Sequence, residues 1–307
     1  MKSAAPIVTP AATGPYSRVA LGHRPADFLT LTKPRLNLLV LMTTLGGLYL
    51  AAPDGVPFDI LFHTLVGTAL VAGGSAALNQ VWERRTDALM RRTANRPLPG
   101  GRLGTSEGTW FGLALSAVGL AELAIAVNLT SAWVAATTLV SYVLMYTPLK
   151  TRTSLSTLVG AIPGALPPVI GWAAIKGSIT LPAVVLFGIV FFWQMPHFLA
   201  IAWMYRADYG RAGIPMLPVV EPDGRRTGQQ ALLYAAGLWP VSLMPMGVGL
   251  AGPAYAVVAT ALGLLFIWLS MRFAQERSQA HARRLFLFSI VYLPLLWAAL
   301  VIDRIWL

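Results

Sequence analysis

Cysteine is absent from the 307 residues, which excludes a disulfide framework and a thiolate metal site. Charge is scarce as well: only 11% of residues are Asp, Glu, Lys or Arg, and only 12 are acidic. A soluble domain carries about 25% charged residues, so this chain has too little polar surface to face water on all sides. Histidine occurs four times, too few for the paired intramembrane haem ligands of an electron carrier. The first 26 residues hold no apolar core of signal-peptide length, so a cleaved leader is not expected.

Apolar residues make up 56% of the chain, and the mean hydropathy is +0.64. Nine runs are long enough to be helical spans: 36–52, 58–82, 108–128, 131–147, 157–175, 181–204, 229–250, 253–272 and 285–303. Strands with open edges are excluded, because backbone groups in lipid must pair internally. The expected fold is therefore an all-α integral membrane bundle of nine transmembrane helices. Residues 1–26 read as a disordered cytoplasmic tail and 27–307 as a single transmembrane domain.

The net charge of +11 does not indicate nucleic acid, because the positive residues lie in short connectors rather than on one basic face. Of the 23 Lys and Arg, 21 fall in 1–35, 83–107, 148–156, 205–228 and 272–284; only Lys176 and Arg304 lie in the other set of connectors. Short basic loops stay cytoplasmic. This places the N-terminus inside and the C-terminus outside, in agreement with an odd number of spans. Residues 83–107 and 205–228 follow spans four apart in the chain, which suggests a duplicated four-helix unit with a ninth helix added. Pro163, Pro167 and Pro168 predict a kinked or broken fifth span, and Gly160 and Gly164 would permit close packing there.

Asn79, Glu83, Asp87 and Arg91 are spaced by four. If the helix continues past the apolar run, each step turns about 40° and rises about 6 Å, giving one polar stripe. Two carboxylates and an amide oxygen are hard ligands that suit Mg²⁺ shared with a phosphate. Arg84, Arg85, Arg91, Arg92 and Arg96 surround them, and arginine forks match phosphate oxygens. The same spacing also describes a solvated helix end with i,i+4 pairs such as Asp87–Arg91. Tyr146 and Lys150, again four apart and followed by Arg152, read either as a phosphate anchor beside a cation-shielding ring or as interfacial anchors. Trp193 and His197 lie at membrane depth, where an ionisable residue is a functional candidate, although a lone histidine is more often a satisfied core residue than a metal ligand. Glu122, mid-span, reads as protonated or paired, with no role assigned.

Several stretches, taken in order, resemble the UbiA family of intramembrane prenyltransferases. They are Thr32-Lys33-Pro34-Arg35, Asn79-x-x-x-Glu83-x-x-x-Asp87, Met90-Arg91-Arg92-Thr93 with Arg96-Pro97-Leu98-Pro99, and Tyr146-Thr147-Pro148-Leu149-Lys150. Gly164-Ala165-Leu166-Pro167-Pro168, Trp193-Gln194-Met195-Pro196-His197-Phe198 and Asp208-Tyr209 through Pro218 complete the set. The tryptophan–histidine stretch resembles the haem-farnesylating branch. The chain departs from the family pattern in having Arg85 where an aspartate is common, and in having Asp208 as the sole carboxylate of the second motif.

The resemblance implies farnesyl transfer from farnesyl diphosphate to the 2-vinyl group of haem B, giving haem O for haem A and terminal-oxidase assembly. It implies a UbiA-type bundle with a central cavity opening on the cytoplasmic side, and Mg²⁺ held by Asn79, Glu83, Asp87 and Asp208, with diphosphate on Arg91, Arg96, Lys150 and Arg152. Catalytic roles would fall on Asn79, Glu83, Asp87, Tyr146, Lys150 and Asp208, and haem contacts on His197 and Trp193. The expected setting is the bacterial-type cytoplasmic (inner) membrane, with the active site near the cytoplasmic face and haem A synthase as a partner. Competing readings are a UbiA-type enzyme acting on a quinone precursor or chlorophyllide, and a transporter whose broken span lines a pathway.

Overall fold

The computed structural model describes residues 24–52 and 54–305. Among these every regular element is helical: α1 Arg24–Leu31, α2 Pro34–Ala51, α3 Phe58–Ala88, α4 Thr105–Ala126 and α5 Leu129–Val140. A π-helical turn, Ser141–Tyr146, continues α5 into α6 Thr147–Leu149. Then come α7 Ser156–Ala165, α8 Pro167–Lys176, α9 Leu181–Met204, α10 Arg206–Arg211, α11 Leu217–Val220, α12 Arg225–Gly247, α13 Pro253–Glu276 and α14 Gln279–Ile305. The expected N-terminal tail lies outside the described residues up to position 23, and Arg24–Ala26 form the first turn of α1.

Among the described residues, seven helical stretches are long and apolar enough to cross a membrane: α3, α4, α5 through α6, α7 through α8, α9, α13 and α14. Helices α2 and α12 occupy the first and seventh expected spans but fall short of that apolarity: α2 begins with Pro34 and Arg35, and α12 begins with two arginines and Thr227. Exposed side chains on the bundle's outside are large and apolar, among them Phe58, Trp110, Ile125, Trp133 and Val257. Water would penalise so broad an apolar surface, whereas lipid does not.

Inside, helices approach through small residues, because lipid gives no hydrophobic force between helices and close van der Waals contact must supply it. Helices α2 and α8 meet backbone to backbone. A Cβ on Gly47 would lie 2.1 Å from the Pro168 carbonyl oxygen, and one on Gly171 would lie 2.0 Å from that of Thr44. The expected break in the fifth span falls at Leu166, between α7 and α8. Pro163, Pro167 and Pro168 remove successive N–H donors there. Gln194 of α9 reaches across, its Nε2 donating to the Ala161 carbonyl at 3.2 Å and to that of Val190 at 3.1 Å.

At the end away from the basic connectors, Asp303 of α14 accepts from the Gly252 and Tyr255 N–H groups and caps α13. Glu122 pairs with His63 Nδ1 at 2.7 Å between α4 and α3, the paired alternative of the sequence reading.

The α2–α8 contact leaves no room for a methyl group. Gly171→Ala should lower unfolding stability by about 1–3 kcal/mol through overpacking, read as a reduced thermal midpoint in detergent. An unchanged midpoint would mean the two helices are not held this closely.

Candidate functional site

Helix α3 stays regular through Ala88, past the end of its apolar run, so Asn79, Glu83 and Asp87 do stack one turn apart. All three side chains are buried, at 1%, 5% and 1% exposure. Ionised carboxylates survive burial only when paired and hydrogen-bonded. Three cations from separate segments meet them. Lys33 Nζ donates to Asn79 Oδ1 at 2.9 Å, Lys150 Nζ donates to both Glu83 oxygens at 2.9 Å, and Arg96 Nη1 donates to Asp87 Oδ2 at 2.7 Å. Three positive groups thus face two negative ones, a surplus that favours an anion. Asp87 Oδ1 is buried without a hydrogen-bond partner among the described residues.

Lys33 was quoted in the sequence motif but given no role. It sits between α1 and α2 in the left-handed region, φ 50 and ψ 60, a conformation costing a non-glycine residue roughly 1–2 kcal/mol. This turn aims the side chain at Asn79. Burial lowers its pKa from the ordinary lysine value to about 8, Arg96 and Lys150 push the same way, and Glu83 and Asp87 oppose them. For Lys150, burial again disfavours the charge, but Tyr146 and the Glu83 carboxylate hold it above the ordinary lysine range. Lys150 also lies 5.9 Å from the centre of the Tyr146 ring.

Tyr146 ends the π turn and stacks on Tyr142 at 5.4 Å. Its ring fills a slot opened by a missing side chain: a Cβ at Gly160 would come within 2.6 Å of Tyr146 Cδ2. Gly164 does the same for Gln194, 2.0 Å from Oε1. These two glycines therefore admit side chains from neighbouring segments rather than a second helix backbone.

The two mixed-charge connectors close over the stripe and touch each other. Met90 packs with Ala202, Tyr209, Ala212, Ile214 and Met216. Arg92 Nη2 donates to the Tyr209 hydroxyl at 2.9 Å, with its guanidinium 5.4 and 5.3 Å from the Tyr205 and Tyr209 ring centres. Arg92, itself exposed, is thus the arginine that ties the two connectors together. The helix stops at Ala88, and the Thr93 hydroxyl donates to the Asp87 carbonyl at 2.8 Å, so Arg91 leaves the stripe. Arg91 and Arg152 are exposed, and neither guanidinium bonds another described residue. Asp208 pairs with Arg211 one turn on and bonds no stripe residue. Glu221 pairs with Arg226 at 3.3 Å. Among the described residues no three His, Cys, Asp or Glu side chains form a ready metal cage. The hard oxygens available are those of Asn79, Glu83 and Asp87.

Trp193 and His197 face α14. His197 Nδ1 lies 2.7 Å from Ser289 Oγ, and the Trp193 indole N–H donates to the Ser289 carbonyl at 2.8 Å. The imidazole is 5.1 Å from both the Trp193 and Phe286 rings. Ser289 Oγ donates its hydrogen to the Phe286 carbonyl at 2.6 Å. It must therefore accept from His197 Nδ1–H, which leaves a bare lone pair on Nε2, the tautomer a metal ligand requires.

The family model described as UbiA prenyltransferase family matches residues 40–293. The chain is 49% identical over 287 residues to "Protoheme IX farnesyltransferase" of Solibacter usitatus (strain Ellin6076), covering 91% of this chain and 98% of that protein. To the protein of the same name from Azoarcus sp. (strain BH72) it is 45% identical over 286 residues, 92% and 95% of the two chains. Among solved structures, one described as digeranylgeranylglyceryl phosphate synthase superposes with a TM-score of 0.79 at 16% identity, covering 93% of this chain and 100% of that one. A UbiA homolog from Archaeoglobus fulgidus bound to DMAPP and Mg²⁺ gives 0.66 at 16% identity, covering 89% and 99%. At these identities the likeness establishes the fold alone.

Lys150 and Glu83 form a buried pair, their side chains 12% and 5% exposed. Lys150→Met should destabilise the protein by about 3–5 kcal/mol, because the carboxylate is left uncompensated. Adding Glu83→Gln should restore most of that loss in an unfolding titration. A single variant as stable as the parent would show that the carboxylate finds another partner or a proton.

Proposed function

The chain belongs to the UbiA prenyltransferase family, and from that membership we propose that it transfers a farnesyl group from farnesyl diphosphate to the 2-vinyl carbon of haem B. The observation that carries the site assignment is the buried Asn79–Glu83–Asp87 stripe with its excess of cations. The extent of the likeness to proteins named protoheme IX farnesyltransferase supports haem as the acceptor.

The residues fit a divalent cation: three buried hard-oxygen side chains, one with an orphan acceptor at Asp87 Oδ1. Asn79 Oδ1, Glu83 and Asp87 would hold Mg²⁺, and Asp208 would join them only by leaving Arg211. When bound, the ion neutralises charge on the diphosphate leaving group. Lys33, Lys150 and Arg96 take up the remaining negative charge as the C–O bond breaks, and Arg91 and Arg152 approach from the rim. Charge stabilisation of this kind is usually the largest catalytic contribution. Tyr146, with Tyr142 behind it, presents a π face to the allylic cation. The cation adds to the vinyl carbon, and water completes the hydroxyethyl arm. Overall, haem B, farnesyl diphosphate and water give haem O and diphosphate. His197, with Nε2 unprotonated, and Trp193 hold the porphyrin.

The proposed setting is the bacterial-type cytoplasmic membrane. Nine spans, with α2 and α12 among them, form a single domain over 27–307, with the N-terminus and the active site on the cytoplasmic side and the C-terminus outside. The 21 basic residues in one set of connectors support that orientation. Haem A synthase, which consumes the product, is the proposed partner.

Asp87→Asn keeps the shape of the stripe but removes its charge. Haem O formation from farnesyl diphosphate and haem B should fall roughly 10²–10³-fold, with the protein still inserted and folded. Undiminished haem O by mass analysis would remove the stripe from the chemistry. His197→Ala should weaken haem binding, read from the Soret band, while leaving farnesyl diphosphate binding intact; unchanged haem affinity would return His197 to a packing role.

A further inference from the structure

An asparagine amide has two ends of similar shape and opposite chemistry, an acceptor oxygen and a donor nitrogen. Only the oxygen can serve a cation, so whichever end faces the Lys33 side decides what Asn79 can do. Helix α3 does not itself decide it. Thr147, fully buried, does.

The π turn delivers two donors of Thr147 to one carbonyl: the backbone N–H and the hydroxyl both reach Tyr142 O, the latter at 2.8 Å. In a regular α-helix a threonine hydroxyl reaches the carbonyl three or four residues back; here it reaches five back, because the turn is wide. A carbonyl cannot donate, so the Thr147 hydrogen is committed. Its oxygen has only lone pairs left for Asn79, and it accepts from Nδ2 at 3.1 Å. On the other side Lys33 Nζ, which can only donate, meets Oδ1 at 2.9 Å. The two constraints agree on one orientation of the amide.

We propose that Thr147 is a positioning residue: its hydroxyl, aimed by the π turn, locks the Asn79 amide with the oxygen turned toward Lys33 and away from Thr147, as a ligand for the diphosphate-bound cation. This rests on the site reading above. Partners that orient metal ligands typically change affinity 10–100-fold when lost.

The test uses the full chain in detergent or nanodiscs, with Mn²⁺ and farnesyl diphosphate as probes and electron paramagnetic resonance to count bound Mn²⁺. Thr147→Val keeps the shape and removes the hydroxyl; Mn²⁺ binding should weaken roughly tenfold or more. The Mg²⁺ concentration for half-maximal farnesyl transfer should rise in parallel, with KM for haem unchanged. Thr147→Ser retains the hydroxyl and should restore both. Native Mn²⁺ affinity in Thr147→Val, or equal impairment in the valine and serine variants, overturns the proposal.

A second arm covers a valine variant that folds poorly. Asn79→Asp presents oxygen at both ends and needs no orienting, while its inner oxygen would face the committed Thr147 oxygen. In that background Thr147→Val should leave Mn²⁺ affinity unchanged or raise it; a further tenfold loss would count against the lock. Asp87→Asn separates the two levels. If it leaves Mn²⁺ binding intact, the metal reading of the stripe has failed. If it abolishes binding while Thr147→Val does nothing, only the lock has failed.

Discussion

A pair of carboxylates buried at one end of an apolar bundle persists only if cations reach them, and most of the local architecture serves that need. Glu83 and Asp87 are available because α3 outruns the bilayer. At 31 residues and about 1.5 Å per residue it is roughly 46 Å long, against a hydrocarbon core of about 30 Å. Its last turns therefore emerge into the region where the basic connectors lie. Arg96 comes from the connection that follows α3 itself, nine residues from Asp87, whereas Lys33 and Lys150 arrive from 46 and 67 residues away, so the full set of cations exists only when α2, α3 and α6 are assembled together.

Two departures from regular helix shape the other wall. The proline break between α7 and α8 interrupts one span, Gln194 donates to the Ala161 carbonyl one turn before it, and the glycines of α7 open slots for Tyr146 and Gln194. The π turn of α5 shifts the register, so that Tyr142, Tyr146, Thr147 and Lys150 reach the stripe from one side. Such turns are often found at functional sites. Here the consequence can be named: a hydroxyl whose hydrogen is engaged elsewhere and which can therefore hold an amide in one orientation. Ser289 does the same for His197.

Hydropathy located the helices because lipid leaves the backbone few alternatives, and the i,i+4 stripe was legible for as long as α3 stayed helical. At Ala88 that logic ends. Which of Arg91 and Arg92 finds a partner depends on how Thr93 closes the helix and on Tyr209, 117 residues from Arg92. Lys33 carried a signal, a lysine before proline at a helix start, but its reach to Asn79 depends on an unusual backbone conformation. Nothing in the residues Ser141–Tyr146 announces a π turn. Asp208 was read from motif position alone, and the arginine one turn along takes its charge. Charge pattern marks which residues gather at one face; it does not say which of them pair.

The same pairing constrains how ligands can enter. A divalent cation arriving alone would have to displace Lys150 from Glu83 and Arg96 from Asp87, leaving a largely buried lysine and a half-buried arginine uncompensated. Diphosphate alone would draw those cations away and leave two carboxylates bare. Either exchange carries a cost of several kcal/mol per unpaired buried charge. Arriving together, the metal takes over the carboxylates while the diphosphate takes over Lys33, Lys150 and Arg96, and no charge is left without a partner. On the proposed reading the resting ion pairs are placeholders for the substrate complex, and the site favours the metal–diphosphate unit over either component.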